Sequence, residues 1–191
     1  MNNIEIKKTS EKDYDRILEV ELTAFNGSKK LKNLLTDLFE DPTAEPQVSL
    51  LALDGDKPVG HILFSKARIR PRPGFCNLKS NASIMGPVAV IPDYRHRGIG
   101  KALIRKGIDE LKSLGVDRCF TLGHSHFRPG LGFRPDAEKA GFPAPFPLAE
   151  EDRNAWMWLD VSGKPIDEKG KIICANAIMR GTYWKIRKKD I

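Results

Sequence analysis

Seven consecutive residues, Arg95-His96-Arg97-Gly98-Ile99-Gly100-Lys101, have the types and spacing to hold an anion. Gly98 and Gly100 remove the Cβ atoms that would keep a diphosphate from backbone amides. Arg95 and Arg97 add guanidinium charge suited to phosphate oxygens. Lys101 would be disfavoured in the first turn of a helix unless an anion lay nearby. Taken alone, two glycines and two arginines equally suit a tight turn with ordinary surface cations, because glycine-rich turns match by chance. Two better-known phosphate loops are excluded. There is no Gly-x-x-x-x-Gly-Lys-Ser/Thr, and no strict Gly-x-Gly-x-x-Gly with an acidic residue about 20 positions on. A second polar cluster, His124-Ser125-His126, lacks further metal ligands at any recognised spacing, and Ser125 lacks a nucleophile-elbow context, so no metal site is expected.

The elements around the turn fit an anion site. The apolar stretch Ile84 to Ile91 precedes it and reads as a buried strand. Leu103, Ile104, Gly107, Ile108, Leu111 and Leu114 then recur at helical spacing, with Gly115 as C-terminal stop. A strand-to-helix turn is where amides and the positive end of the helix dipole converge. Arg118 to Gly123 supplies a further strand, predicted parallel to the first across a right-handed crossover. Upstream, Ile4 and Ile6 mark a short strand, and Ser10 with Asp13 forms a capping box before a helix starting near Glu11. Stripes at Tyr14 to Phe25 and Leu31 to Phe39 give two amphipathic helices, the second ended by Asp41-Pro42. Val48 to Leu53 and Val59 to Phe64 flank Asp54-Gly55-Asp56-Lys57, a four-residue hairpin connection. Residues 71 to 81 read as a loop. Residues 124 to 155 read as mostly loop with one short helix, and Trp156 to Val161 and Lys171 to Ala175 as two last strands around Ser162-Gly163-Lys164-Pro165.

A length of 191 residues suits one compact domain. With 40% hydrophobic and 30% charged residues the chain reads as globular, and no apolar run reaches membrane-span length. Met1 to Lys8 resembles no secretory signal, so a cytoplasmic location is expected. Cys76, Cys119 and Cys174 are odd in number and far apart, which predicts reduced thiols. A net charge of +7 favours an anionic ligand without choosing among polyphosphate, nucleic acid and acidic protein. The basic tail, Lys185, Arg187, Lys188 and Lys189, lacks an aromatic-flanked RNA motif and reads as a solvated end.

The run from Met85 to Ile104, Met-Gly-Pro-Val-Ala-Val-Ile-Pro-Asp-Tyr-Arg-His-Arg-Gly-Ile-Gly-Lys-Ala-Leu-Ile, resembles motif A of the GNAT superfamily, the GCN5-related N-acetyltransferases. The signature Gln/Arg-x-x-Gly-x-Gly/Ala is met by Arg95, Gly98 and Gly100. The segment Leu122 to Arg134 and the strand at Trp156 resemble the YhbS-type branch. The resemblance implies an α+β fold: a mixed, mostly antiparallel sheet whose central parallel pair splays around the cofactor, with helices on both faces. It implies one GNAT domain over 1–191, with its motif A core at about 84–123. It also implies acetyl-CoA as co-substrate, no metal, and transfer to a primary amine of a small molecule or peptide by direct attack in a ternary complex. In that scheme Val88, Ala89 and Val90 offer main-chain groups to the pantetheine arm and thioester. Arg95, Arg97, Gly98, Ile99, Gly100 and Lys101 bind the cofactor's pyrophosphate, the last five through backbone amides and Arg95 by its charge. No membrane partner follows, nucleic acid is argued against, and a homodimer is left open.

One departure bears on catalysis. The tyrosine that family members use to protonate the departing thiolate aligns with Phe127 and Arg128. A thiol of pKa about 8.5 leaving unprotonated at pH 7 forgoes only about 2 kcal/mol, so the loss slows transfer without forbidding it. His126 and His124 are the substitute proton-transfer candidates, and Arg128 could stabilise the thiolate. For the base, Glu21, Glu40 and a water chain stay open. Phe142, Phe146, Trp156 and Trp158 divide between acceptor pocket and core. A non-catalytic acyl-CoA sensor and an RNA-binding protein are the alternatives.

Overall fold

The computed structural model describes residues 4–71, 81–123, 129–163 and 169–185. Seven strands form one sheet: β1 (Ile4–Lys8), β2 (Val48–Asp54), β3 (Lys57–Pro71), β4 (Asn81–Val90), β5 (Arg118–Leu122), β6 (Trp156–Asp160) and β7 (Gly170–Cys174). Strands β1 to β6 lie in chain order, and β7 pairs with β3. All pairings are antiparallel except β4 with β5. The helices are α1 (Tyr14–Ala24), α2 (Lys29–Glu40) and α3 (Ile99–Ser113). This is the mixed sheet with a central parallel pair and helices on both faces that the resemblance implied.

Adjacent residues of β3 identify the two faces, because successive strand side chains alternate. A Cβ on Gly60 would meet Leu103 and Ile99 of α3 at 3.1 and 3.2 Å. His61 contacts Glu21 of α1 instead. Helix α3 therefore covers one face and α1 the other. The approach of α3 depends on a missing side chain, since a Cβ on Gly107 would stand 2.1 Å from the Phe64 ring. Gly115 closes α3 at φ +68°, where Val116 N–H returns to Leu111 C=O.

The parallel pair is short. Only Ala82, Ser83 and Ile84 of β4 face β5, opposite Arg118, Cys119 and Phe120. Beyond them β5 keeps its pairing with β6, and Met85 to Val90 lose theirs with β5. A bulge marks the parting: Gly86 and Pro87 together face Leu63 alone, between the pairs Phe64–Met85 and Ile62–Val88. Gly86 at φ +149° holds a backbone conformation that suits glycine.

Several expectations are corrected. Asp54 pairs with Lys57, so the β2–β3 turn has two residues, Gly55 and Asp56, not four. Strand β3 runs on to Pro71, past the end of β2, and leaves an edge at Ala67 to Pro71. β7 fills that edge, so β6 and β7 are not partners. The short helix expected within 124–155 is replaced, among the described residues, by two 3-10 segments, Pro129–Leu131 and Glu150–Ala155. Prolines at 135, 143, 145 and 147 interrupt any longer helix. No helix among the described residues is long and apolar enough to cross a membrane.

Candidate functional site

The turn between β4 and α3 enters the helix through Gly98. Gly98, the residue before α3, has φ +82°, and no side chain caps the helix. The first backbone bond of the helix runs from Ala102 N–H to Gly98 C=O, so the amides of Ile99, Gly100 and Lys101 precede the intrahelical ladder. A Cβ on Gly98 would meet nothing within 4 Å, and one on Gly100 only Val90 at 3.8 Å.

Arginine roles divide. Arg97 is exposed and lies over the Tyr94 ring at 4.8 Å. Arg95 instead donates to two protein carbonyls, Val90 C=O through Nε at 3.2 Å and Ala24 C=O through a terminal nitrogen at 2.9 Å. It ties the end of β4 to the end of α1. Tyr94 anchors the turn to the β2–β3 hairpin by donating to Asp54 Oδ2 at 2.7 Å, a bond that raises the phenol's pKa.

Val88, Ala89 and Val90 lie on the stretch of β4 that β5 has left. Ile91 N–H bonds Val59 C=O, which sets the alternation: Ile91 and Ala89 turn their main-chain groups toward β3, and Val90 and Val88 toward the free edge. Arg95 already occupies the Val90 carbonyl. Across the gap, one residue past the last parallel pair, Thr121 is fully buried and its hydroxyl has no hydrogen-bond partner among the described residues. Sequence reading passed over Thr121, since a threonine in a strand carries no local signal.

The structure also places a buried polar chain under α1. Glu21 Oε1 lies 2.6 Å from His61 Nδ1, and both side chains are fully buried. His61 Nε2 lies 3.0 Å from the hydroxyl of half-buried Ser49. Burial pushes the Glu21 carboxyl above its ordinary pKa, against the opposing effect of the His61 hydrogen bond. Glu40, the other base candidate, is exposed at the end of α2. His61 went unread because an isolated histidine in an apolar strand has no motif; only the fold brings it to Glu21, 40 residues away.

The proton-transfer candidates His124 and His126, with Phe127 and Arg128, lie outside the described residues. Phe142 and Trp156 are core, Trp156 stacking on Phe120 with centroids 5.4 Å apart. Trp158 lies between the guanidinium groups of Arg118 and Arg134, and Phe146 packs against Trp184. Among the described residues no cluster of three potential metal ligands occurs.

Known proteins resemble this chain in sequence and in fold. The model of the acetyltransferase (GNAT) family matches residues 14–129. The uncharacterized N-acetyltransferase YjhQ of Escherichia coli strain K12 is 40% identical over 88% of this chain and 90% of its own length. Among solved structures, Escherichia coli YhbS in complex with CoA aligns with TM-score 0.77 at 22% identity, covering 94% of each chain. A GNAT family acetyltransferase from Brucella melitensis in complex with acetyl-CoA aligns with TM-score 0.68 at 24% identity, over 93% of this chain and 99% of that one.

Proposed function

The chain belongs to the acetyltransferase (GNAT) family, and from that premise we propose that it transfers an acetyl group from acetyl-CoA to a primary amine of a small molecule or peptide, by direct attack in a ternary complex. The observation that carries this reading is the N-terminus of α3, uncapped by any side chain, beside the stretch of β4 that β5 does not pair with. The amides of Ile99, Gly100 and Lys101 suit the diphosphate, with Arg97 and Lys101 adding charge at its rim. The pantetheine arm, which bears amides, would pair with the free edge at Val88 and Val90 as an added strand. A free main-chain N–H there could also steady the oxyanion formed when the amine attacks the thioester. Thr121 Oγ offers one further bond in the gap. Arg95 contributes indirectly in this scheme, by fixing the turn.

The test is thermal unfolding with and without acetyl-CoA. Ligand at 100 times its dissociation constant adds about 2.7 kcal/mol, an upward Tm shift of several degrees for a chain of this size. Gly98→Glu should abolish the shift by placing bulk and negative charge at the phosphate site. Gly98→Ala is its control: it carries the same positive-φ strain, about 1–2 kcal/mol, without the charge, and should keep the shift. Equal binding by Gly98→Glu would place the cofactor elsewhere.

A second reading, an acyl-CoA sensor without transfer, is favoured by Phe127 and Arg128 at the positions of the usual tyrosines. Acetyl-CoA binding with no thiol release across a broad amine panel would select it.

A further inference from the structure

Between α1 and the sheet lie two ionisable side chains, Glu21 and His61, with no solvent exposure at all. Stability does not explain them, because replacing a buried ionisable pair with well-packed apolar residues is often neutral or stabilising. Their geometry is that of a conduit. Glu21 Oε1 meets His61 Nδ1, and His61 Nε2 meets Ser49 Oγ, so three groups lead from the interior to a half-buried hydroxyl. The inner end, Glu21 Oε2, is buried and has no hydrogen-bond partner among the described residues. A carboxylate oxygen held dry and unpartnered is costly unless something else fills its lone pairs.

The chain stands beside the acyl-transfer gap. His61 is opposite Ala89 in the β3–β4 register, and therefore on the same face, between the two β4 residues whose main chains turn to the free edge. The last turn of α1, which carries Glu21, is held to the end of β4 by Arg95, through Ala24 C=O and Val90 C=O. The phosphate turn belongs to α3 on the opposite face. A cofactor arm arriving from the α3 side leaves the α1 side of the gap for the acceptor.

We propose that Glu21 is the proton acceptor for the attacking amine, with His61 and Ser49 as the path by which that proton reaches solvent. The proposal rests on the acetyl-transfer reading above. The ammonium gives one proton to Glu21 Oε2 through water, because the buried oxygen itself is out of the acceptor's reach, and the freed lone pair attacks the thioester carbonyl carbon. As the C–S bond breaks, the second proton lost from that nitrogen balances the departing thiolate as CoA thiol. The proton held by the Glu21–His61 pair leaves past Ser49, so one proton is released per turnover. Burial makes this carboxylate hold a proton more tightly than a surface one would, which brings it nearer to the amine it must deprotonate. Among the described residues of α1, β2, β3 and β4, His61 is the titratable side chain that bears on it.

The test compares two nucleophiles. A panel of primary alkylamines is protonated at pH 7 and needs a base, whereas hydroxylamine is already neutral and does not. Glu21→Gln, nearly the same shape, should lose about 10²–10⁴-fold in kcat/KM with an alkylamine that the unaltered protein acetylates. It should keep hydroxylamine acetylation and the acetyl-CoA-induced Tm shift nearly unchanged. Equal loss with both nucleophiles would overturn the proposal. So would turnover of hydroxylamine but of no alkylamine by the unaltered protein, which would then have no working proton acceptor. Failure with both nucleophiles would sink the acetyl-transfer reading itself. Should Glu21→Gln not fold, carboxyl NMR of the unaltered protein labelled with 13C-glutamate decides: one glutamate must titrate well above the others, and a single common titration range would end the proposal.

Discussion

Three glycines in and before α3 differ in what a side chain would meet, and substitution separates them. Gly98 is set by its backbone angle, with open space around it, and Gly100 by neither angle nor crowding, since its Cβ would make an ordinary contact with Val90. Gly107 is set by space alone, its Cβ colliding with Phe64, which is itself fully buried. Gly107→Ala therefore tests the packing of α3. Overpacking costs about 1–3 kcal/mol, against a gain of about 1 kcal/mol in helix propensity. The collision is with a ring enclosed on all sides, so we expect the loss to win and Tm to fall by a few degrees. A rise in Tm would mean that α3 rides higher over β3 than described. Gly100→Ala should leave Tm without ligand unchanged or slightly raised and weaken acetyl-CoA binding.

At the scale of elements, strand β4, helix α3 and the turn between them were legible, because Ile84 to Ile91 and Leu103 to Leu111 change from a continuous apolar run to a 3.6-residue period across two glycines. What sequence could not show was which strand would claim which edge. β7 looked like the hairpin partner of β6, but the overrun of β3 past β2 offers five residues of free edge, and β7 takes them. The sorting of the arginines was equally hidden. Arg95 fills the signature position and Arg97 a variable one, but both read alike as phosphate cations, and only Arg95 lies within reach of the carbonyls of Val90 and Ala24. Arg95→Ala should therefore lower Tm in the absence of any ligand, by about 1 kcal/mol per charge-assisted bond at this exposed position. It should also weaken acetyl-CoA binding as the turn loosens. Arg95→Lys should not rescue it, because an ammonium cannot span two carbonyls as the planar fork does. An unchanged ligand-free Tm with weakened acetyl-CoA binding would instead make Arg95 a direct phosphate partner.

Across the whole molecule, contacts far apart in sequence tie the segment after α2 to the segment after β7. Asp41, just after α2, accepts from the amide and hydroxyl of Thr43 at 2.8 and 2.6 Å through Oδ1, and from the amide of Ala177 at 2.7 Å through Oδ2. Thr43 Oγ in turn accepts from Asn176 N–H at 2.9 Å. Partial burial pulls the Asp41 carboxyl upward, but the hydrogen bonds from Thr43 and Ala177 outweigh it, and its pKa falls below the ordinary carboxylate value. A carboxylate whose folded pKa is depressed stabilises the fold above its unfolded pKa, near 4, and that contribution fades as pH drops through the lower folded value. Asp41→Asn sets an amide NH₂ against the Ala177 N–H, donor against donor, so the variant should lose about 1–3 kcal/mol at pH 7. Protonating Asp41 in the unaltered protein creates much the same conflict at the same atom. The stability gap between the two proteins, read by urea unfolding from neutral pH down to about pH 3, should therefore narrow below about pH 4. A gap that stays constant through that window would mean that Asp41 joins the two segments by shape and not by charge.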